Sequence, residues 1–129
     1  FEDDYDGIGV GDCFDFPTDI DPSANRKSCD VPHDAEMFVV DAVPTEFLNP
    51  AMPFPSLDEW SGFAVDVCDG PFADYTGLTI DEAIDLEWFD YVYLTTVEED
   101  WGNLALRGIS CAVIDYFEVP LVGSVHWSS

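Results

Sequence analysis

The stretch Cys29-Asp-Val-Pro-His-Asp-Ala-Glu-Met-Phe-Val-Val40 constrains the fold more than any other part of the chain. It passes from a cysteine through Pro32, which disfavours helix at Val31. It then carries His33, flanked by carboxylates, into an apolar run. Between Glu36 and Val43 that run holds Met37, Phe38, Val39, Val40, Ala42 and Val43. A half-exposed strand alternates apolar and polar residues, whereas a strand covered on both faces is apolar almost throughout. Residues 36–43 are therefore predicted to form a buried central strand on which the other elements pack.

The flanking segments suit that role. Gly11-Asp-Cys-Phe-Asp-Phe16 alternates and reads as a short strand. The polar loop from Asp15 to Lys27 contains Pro17, Pro22 and Asn25-Arg-Lys; as a broad hairpin it returns Cys29 beside Cys13. Pro44, Pro50, Pro53 and Pro55 make the apolar 44–55 segment irregular. Ser56-Leu-Asp-Glu59 is a capping box that opens a helix, with Leu57, Trp60, Ala64, Val67 and Cys68 at helical spacing. Gly70-Pro71 is expected to stop or kink it, leaving Phe72 and Tyr75 on a short second segment ending near Gly77. Thr79-Ile-Asp-Glu82 repeats the capping box before a helical turn. Thr96-Val-Glu-Glu99 shows the pattern a third time, before a turn carrying Trp101. Residues 86–96, 106–115 and 121–127 read as strands, the last at an edge. Strand, strand, helix and three strands predict an α+β fold: a mostly antiparallel sheet with one main helix packed on one face.

Charge limits the function. There are 28 Asp and Glu against 3 Lys and Arg, a formal net charge of −25. With 15% aromatic residues this is not the composition of a disordered acidic tail. Phosphate recognition needs Lys and Arg, so nucleic acid and anionic lipid are excluded as direct partners. The acidity suits a salty or calcium-rich exterior, or a cationic partner. The 129 residues suit one domain, assigned to 9–129 after an acidic N-terminal arm or linker, 1–8. In that arm Glu2, Asp4, Asp6 and Gly7 imitate half of an EF-hand loop. Cys13 stands where the bidentate Glu is required, so a solvated arm is expected. Oxygen ligands are dense enough for calcium at Asp3, Asp4 and Asp6, or at Asp12, Asp15, Asp19 and Asp21. No other cofactor is expected.

Cys13, Cys29, Cys68 and Cys111 form an even set without a C-x-x-C pair, which argues against a zinc ribbon and for two disulfides in an oxidising compartment. Four cysteines allow three connectivities; Cys13–Cys29 with Cys68–Cys111 is favoured, the second stapling helix to sheet. Loop closure is worth about 3 and about 4 kcal/mol respectively in the chain-entropy account. The chain begins at Phe1 with no signal peptide and no apolar run of membrane-spanning length. A mature exported chain, or an ectodomain cut from its anchor, is the expectation.

Several of these residues recur in order: Gly11-Asp-Cys-Phe14, Cys29-x-x-Pro-His-Asp-Ala-Glu36, a helix with Cys68 and Phe72-x-x-Tyr75-x-Gly77, Glu98-x-x-Trp101-Gly102, and Arg107-x-x-x-Cys111. Together, over about residues 9–123, they resemble the septum formation domain of exported or membrane-anchored actinobacterial proteins. The resemblance implies an extracytoplasmic domain of the cell envelope with two disulfides, often tethered to the membrane. It brings no catalytic residues. The chain departs from the family pattern at Pro71, in the 44–55 segment and in its acidity.

His33, Asp34, Glu36 and Arg107 form the candidate polar site. Around a turn the first three could converge on a metal. The favoured reading is that His33 orients the turn through hydrogen bonds and Glu36 pairs with a scarce base. Arg107, if buried, would need a carboxylate, with Glu36 and Glu99 the natural partners. There is no G-x-S-x-G, and only His33 and His126 could act as imidazole bases. His126 lies beside Trp127 and Ser124, without the makings of a triad. Trp60 and Trp88 are expected in the core; either ring, or Trp127, could stack a sugar if exposed. The functional expectation is a non-catalytic binding or structural domain of the envelope, its partner an envelope protein or a second copy. One alternative is a subunit of a cell-surface assembly or filament. Another is an envelope polysaccharide hydrolase using a carboxylate pair.

Overall fold

The structure, a computed structural model, describes residues 8–16, 25–104 and 107–125. Strands β1 (Cys13–Asp15), β2 (Asn25–Lys27), β3 (Ala35–Ala42), β4 (Phe89–Thr95) and β5 (Ile109–Asp115) form one antiparallel sheet in the order β2-β1-β3-β5-β4. The apolar run is the middle strand, flanked by β1 and β5. Its burial does not extend to the end. Residues 35–38 are buried, but Val40 and Val43 are exposed. Two register shifts against β5, between Met37 and Val39 and between Val39 and Ala42, turn the strand, so its second half leaves the core.

Helix α1 (Leu57–Thr76) opens at the expected capping box: Ser56 Oγ accepts from the Glu59 N–H at 3.2 Å, and the Ser56 N–H donates to Glu59 Oε1 at 3.0 Å. It runs unbroken through Gly70-Pro71 to the C-cap Gly77 at φ 79°, which corrects the expected break. Proline removes one helical hydrogen bond and crowds the preceding turn. Here Cys68 on one side of Pro71, and Phe72 and Tyr75 on the other, are buried, and that packing keeps the helix continuous across the proline. The buried stripe is Trp60, Ala64, Cys68, Phe72 and Tyr75. Leu57, in the first turn, is 85% exposed rather than part of it.

The Thr79 capping box likewise starts α2 (Ile80–Asp85). The third copy of the pattern does not cap. A 3-10 turn spans Glu98–Asp100 without a side-chain cap, and the buried Thr96 hydroxyl instead accepts from the Gly108 N–H at 2.9 Å. Of the expected final strand, the described residues 121–125 make a single antiparallel bridge, in which His33 and Leu121 exchange backbone hydrogen bonds of 2.9 and 2.7 Å. Pro120 and Gly123, at φ 88°, leave no room for a longer ladder. Trp88, expected in the core, is 54% exposed, because α2 ends at Asp85 and Glu87 turns the chain at φ 56° just before β4. The acidic arm 1–7, Asp19, Asp21, Leu106, His126 and Trp127 lie outside the described residues.

The two faces of the sheet are packed unequally. Toward α1, Phe38, Cys111 and Val113 join Trp60, Phe72, Tyr75, Phe47 and Trp101 in the larger core. The opposite face carries a smaller cluster around Phe14, Ala35, Met37 and Ala112, with Phe16, Val92, Leu94 and Ile114 only partly buried. Three cross-links fasten α1 to successive strands: Tyr75 to Glu36 on β3, Cys68 to Cys111 on β5, and Asp69 to Tyr91 on β4. The disulfides are those expected, Cys13–Cys29 and Cys68–Cys111.

A helix kept continuous by packing should gain from losing its proline. Pro71→Ala is expected to raise stability by about 2 kcal/mol, the propensity gain less the stiffness proline gives the unfolded chain. Guanidinium unfolding midpoints measure it; a loss of stability would mean that the ring itself is needed in the packing.

Candidate functional site

Glu36 is completely buried on the helix side of β3, next to the Cys13–Cys29 disulfide. Its Oε2 accepts hydrogen bonds from the Tyr75 hydroxyl and, at 2.8 Å, from Ser124 Oγ. Its Oε1 accepts from the Val125 N–H at 3.0 Å. Cys13 Sγ lies 3.3 Å from Oε1, a sulfur–oxygen contact without a proton, since the sulfur is in a disulfide. One carboxyl group therefore joins the central strand, the end of α1 and the segment after Gly123. It has no basic partner among the described residues, so the expected ion pair is replaced by three donors. Hydrogen bonds of this kind let a buried carboxyl be satisfied without a counter-charge.

The other candidate residues go elsewhere. His33 is fully buried. Its Nδ1 lies 2.8 Å from the Val31 carbonyl, which can only accept, so Nδ1 carries the hydrogen. This bond and the bridge to Leu121 hold the turn before β3. Its Nε2 is buried with no hydrogen-bond partner among the described residues. Asp34 points away from Glu36. Its Oδ2 accepts from the Phe16 N–H at 3.0 Å, and its own N–H donates to the Phe14 carbonyl and to Asp15 Oδ1, both at 3.1 Å.

Arg107 reaches no carboxylate among the described residues, which corrects the pairing with Glu36 or Glu99. Buried beneath the 44–55 segment, it donates to the carbonyls of Trp101 (2.8 Å), Phe47 and Asn49 (both 2.9 Å). Its guanidinium carbon sits 4.1 Å from the centroid of the Trp101 ring. Carbonyl dipoles and the ring face satisfy the cation. The bond-forming role of this arginine is to pin an irregular loop, and a loop carbonyl has no signature in the sequence.

The remaining bases are also engaged: Arg26 with Asp12 at 3.6 Å and Lys27 with Asp15 at 2.5 Å. These pairs occupy two of the acids considered for calcium. Among the described residues one group of three possible metal ligands occurs, Cys13, Cys29 and Glu36 within 4.8 Å. The disulfide leaves only the carboxylate of that group to ligate.

On the other face of the sheet, Phe16, Asp34, Val92, Ile114, Glu118 and Val119 line an open cleft of about 240 Å³. Its floor is apolar, and two carboxylates stand on its walls. The turn after β5 forms one lip, with Glu118 in the left-handed region at φ 60° and its N–H donating to the Asp115 carbonyl at 3.0 Å. That turn exposes Phe117 (63%) and Val119 (53%). Phe117 stacks edge-on to Tyr116 at 5.1 Å, and the Tyr116 N–H donates to the carbonyl of exposed Trp88 at 3.1 Å. Cleft and aromatic surface thus adjoin at one end of β4 and β5. Of this site, sequence reasoning had singled out Asp34 and, as a ring to stack sugars if exposed, Trp88; the Asp-Tyr-Phe-Glu turn at 115–118 was a further available signal.

The buried phenols have a consequence for stability. Burial, then the hydrogen bond to Glu36 and the charge of that carboxylate, push the Tyr75 hydroxyl far above its ordinary value near 10. Burial and Asp69 do the same to Tyr91. Both groups titrate higher in the folded chain than in the unfolded one. Their contribution is intact below about pH 10 and is lost as pH rises further, because the unfolded chain releases these protons first. Melting temperature is expected to fall above about pH 10. Tyr75→Phe should cost about 1–3 kcal/mol at neutral pH and flatten the alkaline limb. An unchanged alkaline limb in both Tyr75→Phe and Tyr91→Phe would assign the effect to other groups.

No protein-family model, curated protein or solved structure matches the chain, so its chemistry is argued from its own residues.

Proposed function

We propose that this domain is an extracytoplasmic, non-catalytic binding module of the cell envelope, and that it engages its partner at the cleft between Asp34 and Glu118. One observation carries the reading: the His33 ring and the Glu36 carboxyl are buried, whereas the cleft with its neighbouring aromatic turn is open. His33 and Glu36 are fully buried, so neither can reach a bond in an outside substrate. Exposed aromatic surface beside a cleft is the usual mark of recognition.

The compartment rests on coarser ground. Two disulfides fit an oxidising exterior, and no described helix is long and apolar enough to cross a membrane. Assignment to the envelope, and to the septum formation proteins in particular, is supported by the ordered motifs around the cysteines, Glu36, Tyr75 and Trp101.

Panning a random-peptide display library against the immobilised domain tests the reading. Enriched peptides of whatever charge should lose at least about ten-fold in affinity, roughly 1.4 kcal/mol, for a Val119→Trp variant that fills the cleft. Peptides that bind this variant equally well would place the binding surface elsewhere. Turnover of an envelope polysaccharide that disappears in Asp34→Asn with Glu118→Gln, while the melting temperature is kept, would replace the binding module with an enzyme.

A further inference from the structure

We infer that the occupant of this cleft is a basic segment of a partner protein, which inserts an apolar side chain between flanking Arg or Lys residues. The inference rests on the binding-module reading and names its partner. Three features lead to it. The first is the shape and chemistry of the cleft. At about 240 Å³ it is smaller than the roughly 300–1,000 Å³ of a small-molecule pocket, so it suits one or two side chains of a longer ligand. Val92, Ile114, Phe16 and Val119 offer an apolar seat, while Asp34 and Glu118 stand on its walls. Asp34 is held in place through the Phe16 N–H on Oδ2, so little ordering is required when a cation approaches.

The second feature is the exposed aromatic surface at the lip. Trp88 and Phe117 are exposed, in stretches of chain that also carry Asp90, Asp115 and Glu118. Rings next to carboxylates favour guanidinium, which stacks on the ring while hydrogen-bonding the acid. The third is the accounting of charge. The chain has three Lys and Arg in all. Arg26 and Lys27 already pair with Asp12 and Asp15, and Arg107 is buried. No further lysine or arginine exists to neutralise the acids of the cleft. A second copy, itself at −25, brings the same sign of charge to this surface, so self-association here opposes electrostatics. A cationic partner is steered to it.

The test uses three peptides of one design, acetyl-Gly-Leu-Arg-Leu-Arg-Gly-amide, its citrulline counterpart and its glutamate counterpart, titrated calorimetrically into the domain at physiological salt. The arginine peptide should bind at least about ten-fold tighter than the citrulline peptide, and the glutamate peptide should not bind. Asp34→Asn with Glu118→Gln should weaken the arginine peptide about five-fold, as expected for two partly exposed charge pairs. Asp66→Asn with Asp74→Asn, an equal change in net charge on exposed positions of α1, should change it by less than about two-fold. Equal losses in the two double variants would mean diffuse attraction and overturn the inference. Citrulline binding as tight as arginine, still lost in Val119→Trp, would overturn the inference and leave the binding module standing. Argininamide alone binding as well as the peptide would make a free cation the ligand. No binding by any peptide, together with failed panning, would remove both readings.

Discussion

A carboxyl group with no lysine or arginine partner sits at the junction on which the rest of this fold depends. Burying an unpaired charge is costly, and its usual remedy is an ion pair or a shift toward the neutral form. Glu36 uses neither a lysine nor an arginine. It gathers the Tyr75 hydroxyl, the Ser124 hydroxyl and the Val125 N–H, three donors from two segments remote in sequence. Those segments can occupy only the positions that satisfy both carboxyl oxygens. The end of α1 and the chain after Gly123 are thereby placed on β3. The Cys13–Cys29 disulfide closes the same corner from the other side. Removing any of these donors leaves buried lone pairs unsatisfied.

The same economy of bases explains the three links from α1 to the sheet. A chain at −25 repels itself in its compact state, and with three bases it cannot answer with ion pairs. One covalent and two hydrogen-bonded links, to β5, β3 and β4, run from the inner face of the helix. Each of the two polar links joins a tyrosine to a carboxylate, so acids that would otherwise add only repulsion become acceptors. Tertiary fastening of this kind also carries α1 across Pro71, where local preference alone would end it.

Much of this was legible beforehand, and the failures have physical causes. The central strand, two capping boxes, both disulfides and the α+β arrangement follow from short-range rules of periodicity, side-chain capping and cysteine count. The third capping pattern failed because Thr96 lies at the end of β4, where its hydroxyl finds Gly108 across the loop first. Pro71 and Trp88 failed for opposite reasons: packing retained a helix that propensity disfavours, and a turn at Glu87 exposed a ring that apolarity would bury. Of the candidate site, the sequence grouped His33, Asp34, Glu36 and Arg107 together, and the fold sets them apart. Arg107 serves loop carbonyls, Glu36 faces the helix and Asp34 faces the cleft. Partners lying 39 and 88 residues from Glu36 leave no trace in local pattern.

The edge of the sheet shows how an exposed aromatic surface and an extreme charge fit one molecule. β4 is an edge strand, and edges with open amides invite pairing with another chain. Here Asp90 turns its own carboxylate onto the Tyr91 N–H at 2.8 Å, which covers one outward donor and leaves a negative charge beside it. Trp88 and Phe117 emerge at the end of the same strand pair, in reach of Asp115 and Glu118. In a neutral protein that surface would be an aggregation hazard. Here two copies, each at −25, repel one another as they approach, which opposes contact between those rings. The surplus acids set the sign of the field around that surface, which repels like charge and attracts opposite charge.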